Sequence, residues 1–116
     1  MEFSFKKENH IGIFELKGNL NGETDGIPLT ESFAQKMEEG TQHFIIDLSE
    51  LQHINSSGLG VLITLLTKAR KVGGELVLMN PSDYINNLLV ITKLNSIFKV
   101  FANQADATDS FTNVTS

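Results

Sequence analysis

Residues 44–72 read FIIDLSELQHINSSGLGVLITLLTKARKV, and this stretch decides the fold class. Residues 44–48 form a short, continuous apolar run, which is typical of a strand buried on both faces of a sheet. Residues 57–72 carry apolar side chains at helical spacing. The core stripe of that helix comprises Leu59, Leu62, Ile63, Leu66 and Ala69. A buried strand that leads into a long amphipathic helix predicts helices packed on a partly parallel sheet.

Upstream of this stretch, the sequence predicts a hairpin and a helix. Apolar residues surround a polar break at residues 8–10, which is the pattern of two strands joined by a turn. Residues 18–26 are rich in Asn and Gly and indicate a loop. Pro28 suits the first turn of the helix that follows, with Thr24 or Asp25 as its cap.

Downstream, the two glycines at 73–74 end the long helix, and the apolar run at 75–79 predicts another buried strand. A third helix follows. Residues 97–101 then predict a last strand, and Phe111 with Val114 predict a short terminal helix. We therefore expect one α/β domain over the whole chain, with a mixed, partly parallel β-sheet of about 4–5 strands and about 4 helices packed on it.

Composition narrows the possible functions. The net charge of −5 argues against nucleic-acid binding, which needs clustered Lys and Arg. The chain has no cysteine, and its histidines lack metal-ligand spacing. No Walker loop, dinucleotide-binding fingerprint or nucleophile elbow is present. We expect a cytoplasmic protein of 116 residues with no cofactor, no metal, no catalytic residue and no membrane insertion, because signal-peptide and membrane-span patterns are absent.

The turn between the buried strand and the long helix is the candidate functional site. Open α/β sheets place functional groups at the carboxyl ends of their strands. Ser56 and Ser57 should lie at the first helical turn, where a hydroxyl either caps the helix or carries a phosphate that the helix N-terminus can receive. Gly58 should leave space for a kinase to approach. From the residues alone, a cap is the commoner role of such a serine.

The order of residues in this segment resembles a known family signature. Residues 47–60 read Asp-Leu-Ser-x-Leu-x-x-Ile-Asn-Ser-Ser-Gly-Leu-Gly, similar to the signature of bacterial anti-sigma-factor antagonists of the STAS-domain family. The resemblance covers about residues 3–114. Residues 18–21 resemble the family's turn after the second strand, residues 73–76 its helix-to-strand turn, and residues 94–101 its closing segment.

The resemblance implies a regulator of transcription that works by partner switching. The unphosphorylated protein would bind a kinase-type anti-sigma factor, which holds the ATP, and thereby free the sigma factor. The kinase would phosphorylate Ser56, the complex would dissociate, and a phosphatase would reset the serine. Ser57 would be a structural hydroxyl. The partner-binding residues would be Asn21, Asn55, Ser57, Gly58 and Leu59.

Some features leave alternatives open. Asn55 and Asn21 stand where many family members carry Asp, which removes negative charge near the switch. Val61 and Leu65 lie off the core stripe of the long helix, and deeper burial is favoured over a partner surface. The alternative function is a structural or adaptor STAS subunit, for example on a lipid-transport ATPase or in a larger signalling complex, with Ser56 unphosphorylated and acting as a cap. A small enzyme lacks the necessary acid, base and nucleophile.

Overall fold

The computed structural model describes residues 1–112, with only the backbone of Glu23 and Thr112. Within these residues the chain forms five strands, four α-helices and one 3-10 turn, and no helix is long and apolar enough to cross a bilayer. In chain order, the elements are β1 Glu2–Glu8, β2 Ile11–Leu20, α1 Glu23–Glu38, β3 His43–Ile54, α2 Ser56–Lys71, β4 Glu75–Met79, α3 Asp83–Ile91, the 3-10 turn Leu94–Ser96, β5 Val100–Phe101 and α4 Gln104–Thr112.

The strands form one mixed sheet in the order β1-β2-β3-β4-β5. The β1–β2 pair is antiparallel, and the other three pairs are parallel. The sheet is therefore mixed and partly parallel, as the sequence predicts. Asn9 and His10 join β1 to β2, and both have positive φ angles, 52° and 68°. A two-residue turn of this kind matches the twist of a hairpin, and Asn adopts the left-handed region more readily than most residues.

Helices cover both faces of the sheet. On one face, α1, α2 and α3 pack over a core that includes Phe14, Phe33 and Phe44, with the last two ring centroids 4.1 Å apart. On the other face, α4 uses Ala107 and Phe111 to cover a smaller apolar cluster. The α/β class and the number of elements agree with the prediction.

Two predicted boundaries upstream of α2 are wrong because tertiary pairing extends both strands. β2 continues to Leu20 and β3 to Ile54, and these two residues pair at the end of the ladder. The predicted loop over 18–26 is therefore short, and α1 begins at Glu23 with Gly22 as its cap residue. Pro28 lies inside α1 rather than in its first turn.

The predicted caps and the predicted last strand also differ from the structure. No side chain caps α1; the Asp25 carboxylate instead accepts the Asn21 N–H at 3.0 Å. Residues 97–101 are extended only at Val100–Phe101. The terminal helix is present as α4, but Val114 lies outside the described residues.

Candidate functional site

The first turn of α2 is capped by Asn55, not by a serine. The Asn55 side-chain oxygen accepts the Gly58 N–H at 2.8 Å, and the Asn55 backbone is extended. The first intrahelical bond runs from the Leu59 N–H to the Asn55 carbonyl at 2.9 Å. Asn is among the best N-cap residues because its short side chain reaches the amide three positions ahead. The prediction that Ser57 is the structural hydroxyl is therefore wrong.

Because Asn55 caps the helix, both serines keep their hydroxyls free. Ser56 and Ser57 are exposed, and within residues 1–112 neither hydroxyl makes a hydrogen bond. Their backbone N–H groups belong to the helical turn that has no intrahelical acceptor. In the described part of the chain, the site thus presents two hydroxyls and the amide donors of the first helical turn without hydrogen-bond partners.

Gly58 and Leu59 are buried beneath this surface. A Cβ atom on Gly58 would lie 2.1 Å from the Leu20 carbonyl oxygen and 2.8 Å from the Ile54 side chain, so only glycine fits there. Leu59 is 5% exposed and packs in the main core. Gly58 therefore lets α2 approach β2, and Leu59 anchors the helix in the core. The predicted role of Gly58 in making space for a kinase is replaced by this close packing.

The connection between β2 and α1 adjoins the start of α2. The Leu20 carbonyl accepts the Asn55 N–H at 3.4 Å, and the same carbonyl lies against Gly58. Asn21 follows immediately and is exposed. The fold therefore brings Asn21, Asn55 and the two serines of the predicted site to one end of the sheet.

A third element at this end was not predicted as part of the site. The ring of His53, at the end of β3, lies 5.5 Å from the ring of Tyr84, centroid to centroid, in an edge-on arrangement. Tyr84 lies in the first turn of α3, which Ser82 caps by accepting the Ile85 N–H at 3.2 Å. Both rings are exposed. Sequence reasoning missed Tyr84 because only the sheet brings α3 beside β3.

The groove between α1 and α2 is the apolar part of the surface near α2. Val61 and Leu65 are both buried, which confirms the favoured interpretation of their position. A Cβ atom on Gly26 would lie 2.7 Å from Val61, so the two helices cross closely at this point. Ile27 is exposed, and it lines the groove together with Thr30, Glu31, Val61 and Thr64.

The electrostatic environment at the start of α2 suits an added anion. The first turn of α2 contains no acidic residue, so the positive end of its dipole has no carboxylate of its own. The Asp47 carboxylate accepts the Ser49 N–H at 2.9 Å and so caps the local backbone. Among residues 1–112 no cluster of His, Cys, Asp or Glu is arranged to hold a metal ion. The arrangement can present a hydroxyl to another protein.

Comparison with known proteins gives the family. A family model described as the STAS domain matches residues 2–107. The anti-sigma-B factor antagonist of Listeria monocytogenes is 30% identical over 100 residues, which cover 86% of this chain and 86% of that protein. The anti-sigma F factor antagonist of Paenibacillus polymyxa is 27% identical over 112 residues, which cover 92% of this chain and 93% of that protein.

Solved structures share the fold. SpoIIAA in its unphosphorylated form has a TM-score of 0.71 at 18% identity, over 95% of this chain and 97% of that chain. The phosphorylated form of SpoIIAA, from Bacillus, has a TM-score of 0.74 at 19% identity, over 95% of this chain and 99% of that chain. The names of these relatives describe regulators, in agreement with the prediction that the chain is not an enzyme. The chain belongs to the STAS domain family.

Proposed function

We propose that this protein is an anti-sigma-factor antagonist that works by partner switching, with Ser56 as the residue that is phosphorylated. The observation that carries the proposal lies at the start of α2. Asn55 caps this helix, and the Ser56 hydroxyl is exposed and makes no hydrogen bond among residues 1–112. A serine that served as the cap would have its hydroxyl engaged with the backbone. The names of the Listeria and Paenibacillus relatives, and the two forms in which SpoIIAA was solved, support this function.

The chemistry of the switch belongs largely to the partner. A kinase-type anti-sigma factor would hold ATP, and the Ser56 oxygen would attack the terminal phosphorus while a base of the kinase takes the hydroxyl proton. The bond from that phosphorus to the bridging oxygen of ADP breaks. The STAS chain needs only to present the hydroxyl on a rigid helix, which the buried packing of Gly58 and Leu59 provides.

Phosphorylation would change binding without changing the fold. The phosphate adds about −1.5 to −2 charges and three acceptor oxygens. The free N–H groups of the first turn and the dipole of α2 can receive these charges. A partner surface that fits the neutral serine would instead have to desolvate a dianion, so the complex would dissociate. A phosphatase would restore the neutral serine.

The surface that we propose for the kinase includes this hydroxyl and exposed groups of the neighbouring elements. Asn21, Asn55 and Ser57 contribute exposed polar groups, and Ile27 contributes exposed apolar area. Apolar area rimmed by polar side chains is typical of a binding surface. Tyr84 adds an exposed aromatic ring beyond His53.

The test uses the purified chain, ATP and the kinase-type anti-sigma factor from the same organism. Mass spectrometry should find one phosphate, on Ser56. Ser56→Ala should bind the kinase normally but remain unmodified, whereas Ser56→Asp should bind at least about tenfold more weakly because of its charge. Ser57→Ala removes the neighbouring hydroxyl, and this variant should still carry one phosphate, on Ser56. A phosphate on Ser57, or binding of Ser56→Asp at full affinity, would contradict the proposal, and an adaptor subunit would show no phosphate at all.

A further inference from the structure

Among the described residues, the outer edge of β5 has backbone groups without a hydrogen-bond partner. The carbonyls of Lys99 and Phe101 accept the N–H groups of Leu78 and Asn80 on the β4 side, at 2.9 and 2.7 Å. In a parallel ladder, successive residues direct their hydrogen-bonding groups to opposite sides, so the N–H and C=O of Val100 face away from β4. β5 is the last strand in the sheet order of the described residues. Val100 therefore offers one donor and one acceptor to a further strand.

A groove with exposed apolar walls runs along this edge. It lies between α3 and β5, and we call it the β5 groove; its lining includes Asn86, Val90, Ile97, Lys99 and Val100. Val90 is 53% exposed and Ile97 is 41% exposed, although both are large aliphatic residues. Exposed aliphatic side chains beside an unpaired strand edge are a liability that folded proteins usually cover.

Opposite charges line the β5 groove and the cavity that adjoins it. Lys99 and Arg70 line it at the end where β5 begins. Arg70 is engaged, because it pairs with Glu75 at 3.2 Å, whereas Lys99 makes no ion pair among residues 1–112. Asp83 lines the adjoining cavity, which shares Asn86, Val100 and Phe101 with the groove. A second β5 strand that runs antiparallel to this one would carry its own positive and negative charges in the opposite order along the edge.

We propose that the β5 groove binds a second copy of this chain through antiparallel pairing of the two β5 strands. An antiparallel pair related by a twofold axis exchanges both bonds between directly opposed residues, which matches the outward N–H and C=O of Val100. The same symmetry brings the Lys99 end of one copy to the Asp83 end of the other. Val90 and Ile97 of both copies then become covered, and the two sheets form one continuous sheet.

This contact is small and leaves the Ser56 surface accessible. β5 contains two residues, so the pairing supplies few hydrogen bonds, and the affinity must come mainly from the apolar walls and the end charges. Interfaces at the small end of the range are weak, and we expect a dissociation constant of roughly 10–500 µM. Ser56 follows β3, two strands away from β5. The pairing therefore does not depend on the function proposed for Ser56.

The test is sedimentation velocity on the full chain at low salt, over concentrations from about 5 µM to 1 mM, which bracket the expected affinity. The wild type should show a monomer–dimer equilibrium. Lys99→Glu and Asp83→Lys should each weaken dimerisation at least about fivefold, and the double variant, which restores opposite charges, should return to within about twofold of the wild type. Lys6→Glu makes the same charge change on β1, at the opposite sheet edge, and should have no effect.

Val100→Pro provides a second, independent test. Proline lacks the N–H that faces the open edge, and edge positions tolerate it, so the variant should fold but dimerise at least about fivefold more weakly. Circular dichroism checks that each variant is folded. A wild type that stays monomeric at 1 mM would overturn the proposal. Weaker dimerisation of Lys6→Glu would also overturn the proposal. The same holds if the dissociation constant does not change in Lys99→Glu and Asp83→Lys.

Discussion

Replacing Asn55 with Ala removes the acceptor that satisfies the Gly58 N–H at the start of α2. Loss of such a cap costs about 1 kcal/mol, with a range of about 0.5–2 kcal/mol. For a domain of this length, that loss lowers the melting temperature by about 4 °C. The Ser56 hydroxyl then becomes the nearest available cap if the helix starts one residue later. We therefore expect Asn55→Ala to slow phosphorylation of Ser56 as well as to destabilise the fold.

Replacing Asn55 with Asp keeps the acceptor and adds a negative charge at the positive end of α2. The unphosphorylated variant should gain about 0.3–1 kcal/mol from the helix dipole. A phosphate on Ser56 offsets this gain in stability. The new carboxylate at position 55 and the phosphate dianion, roughly 6 Å apart, repel each other by about 1 kcal/mol in a water-like dielectric. Phosphorylation should therefore stabilise the wild type, and it should stabilise Asn55→Asp by about 1 kcal/mol less.

The assay is urea unfolding followed by circular dichroism at low ionic strength, because salt screens exposed charges. Phosphoserine is placed at position 56 during synthesis, so the measurement does not require the kinase. Asn95→Asp adds the same charge at an exposed site in the 3-10 turn and should leave the effect of the phosphate unchanged. Equal stability of Asn55→Ala and wild type would refute the capping argument, and an equal phosphate effect in Asn55→Asp would refute the electrostatic argument.

Three further predictions concern packing and the neighbouring serine. Gly58→Ala should destabilise the fold by more than about 2 kcal/mol in urea unfolding, because its Cβ atom meets the Leu20 carbonyl, whereas Gly60→Ala on the same helix should stabilise it by about 0.5–1 kcal/mol; similar effects at both glycines would contradict this packing. Ser57→Ala should leave the melting temperature within about 1 °C of the wild type, because its hydroxyl makes no hydrogen bond within residues 1–112, and a larger drop would reveal a structural role. Phe111→Ala should cost about 3–5 kcal/mol, because the ring is 8% exposed and anchors α4 to the sheet, and hydrogen exchange should show the loss first in α4.

The elements that the sequence predicts correctly depend on local patterns. The polar break before β2, the apolar run that begins at Phe44 and the helical spacing of α2 are visible within short windows. Boundaries that depend on pairing were missed. Residues 49–53 contain several exposed polar side chains, yet they form part of β3 because β2 continues alongside to Leu20. The strand propensity of a short segment does not reflect pairing with a strand that lies more than thirty residues earlier in the chain.

For the candidate site too, some features follow from the sequence and others only from the tertiary structure. The sequence by itself determined the family resemblance, the strand–turn–helix context and the position of Ser56 at the start of α2. Only the tertiary structure decided which hydroxyls are free, because the Asn55 cap depends on where β3 ends and α2 begins. It also decided that Gly58 and Leu59 are internal, because α2 approaches the Leu20 carbonyl too closely for any side chain at position 58. Burial and capping follow from the packing of neighbouring elements, and that packing is not encoded in any single segment.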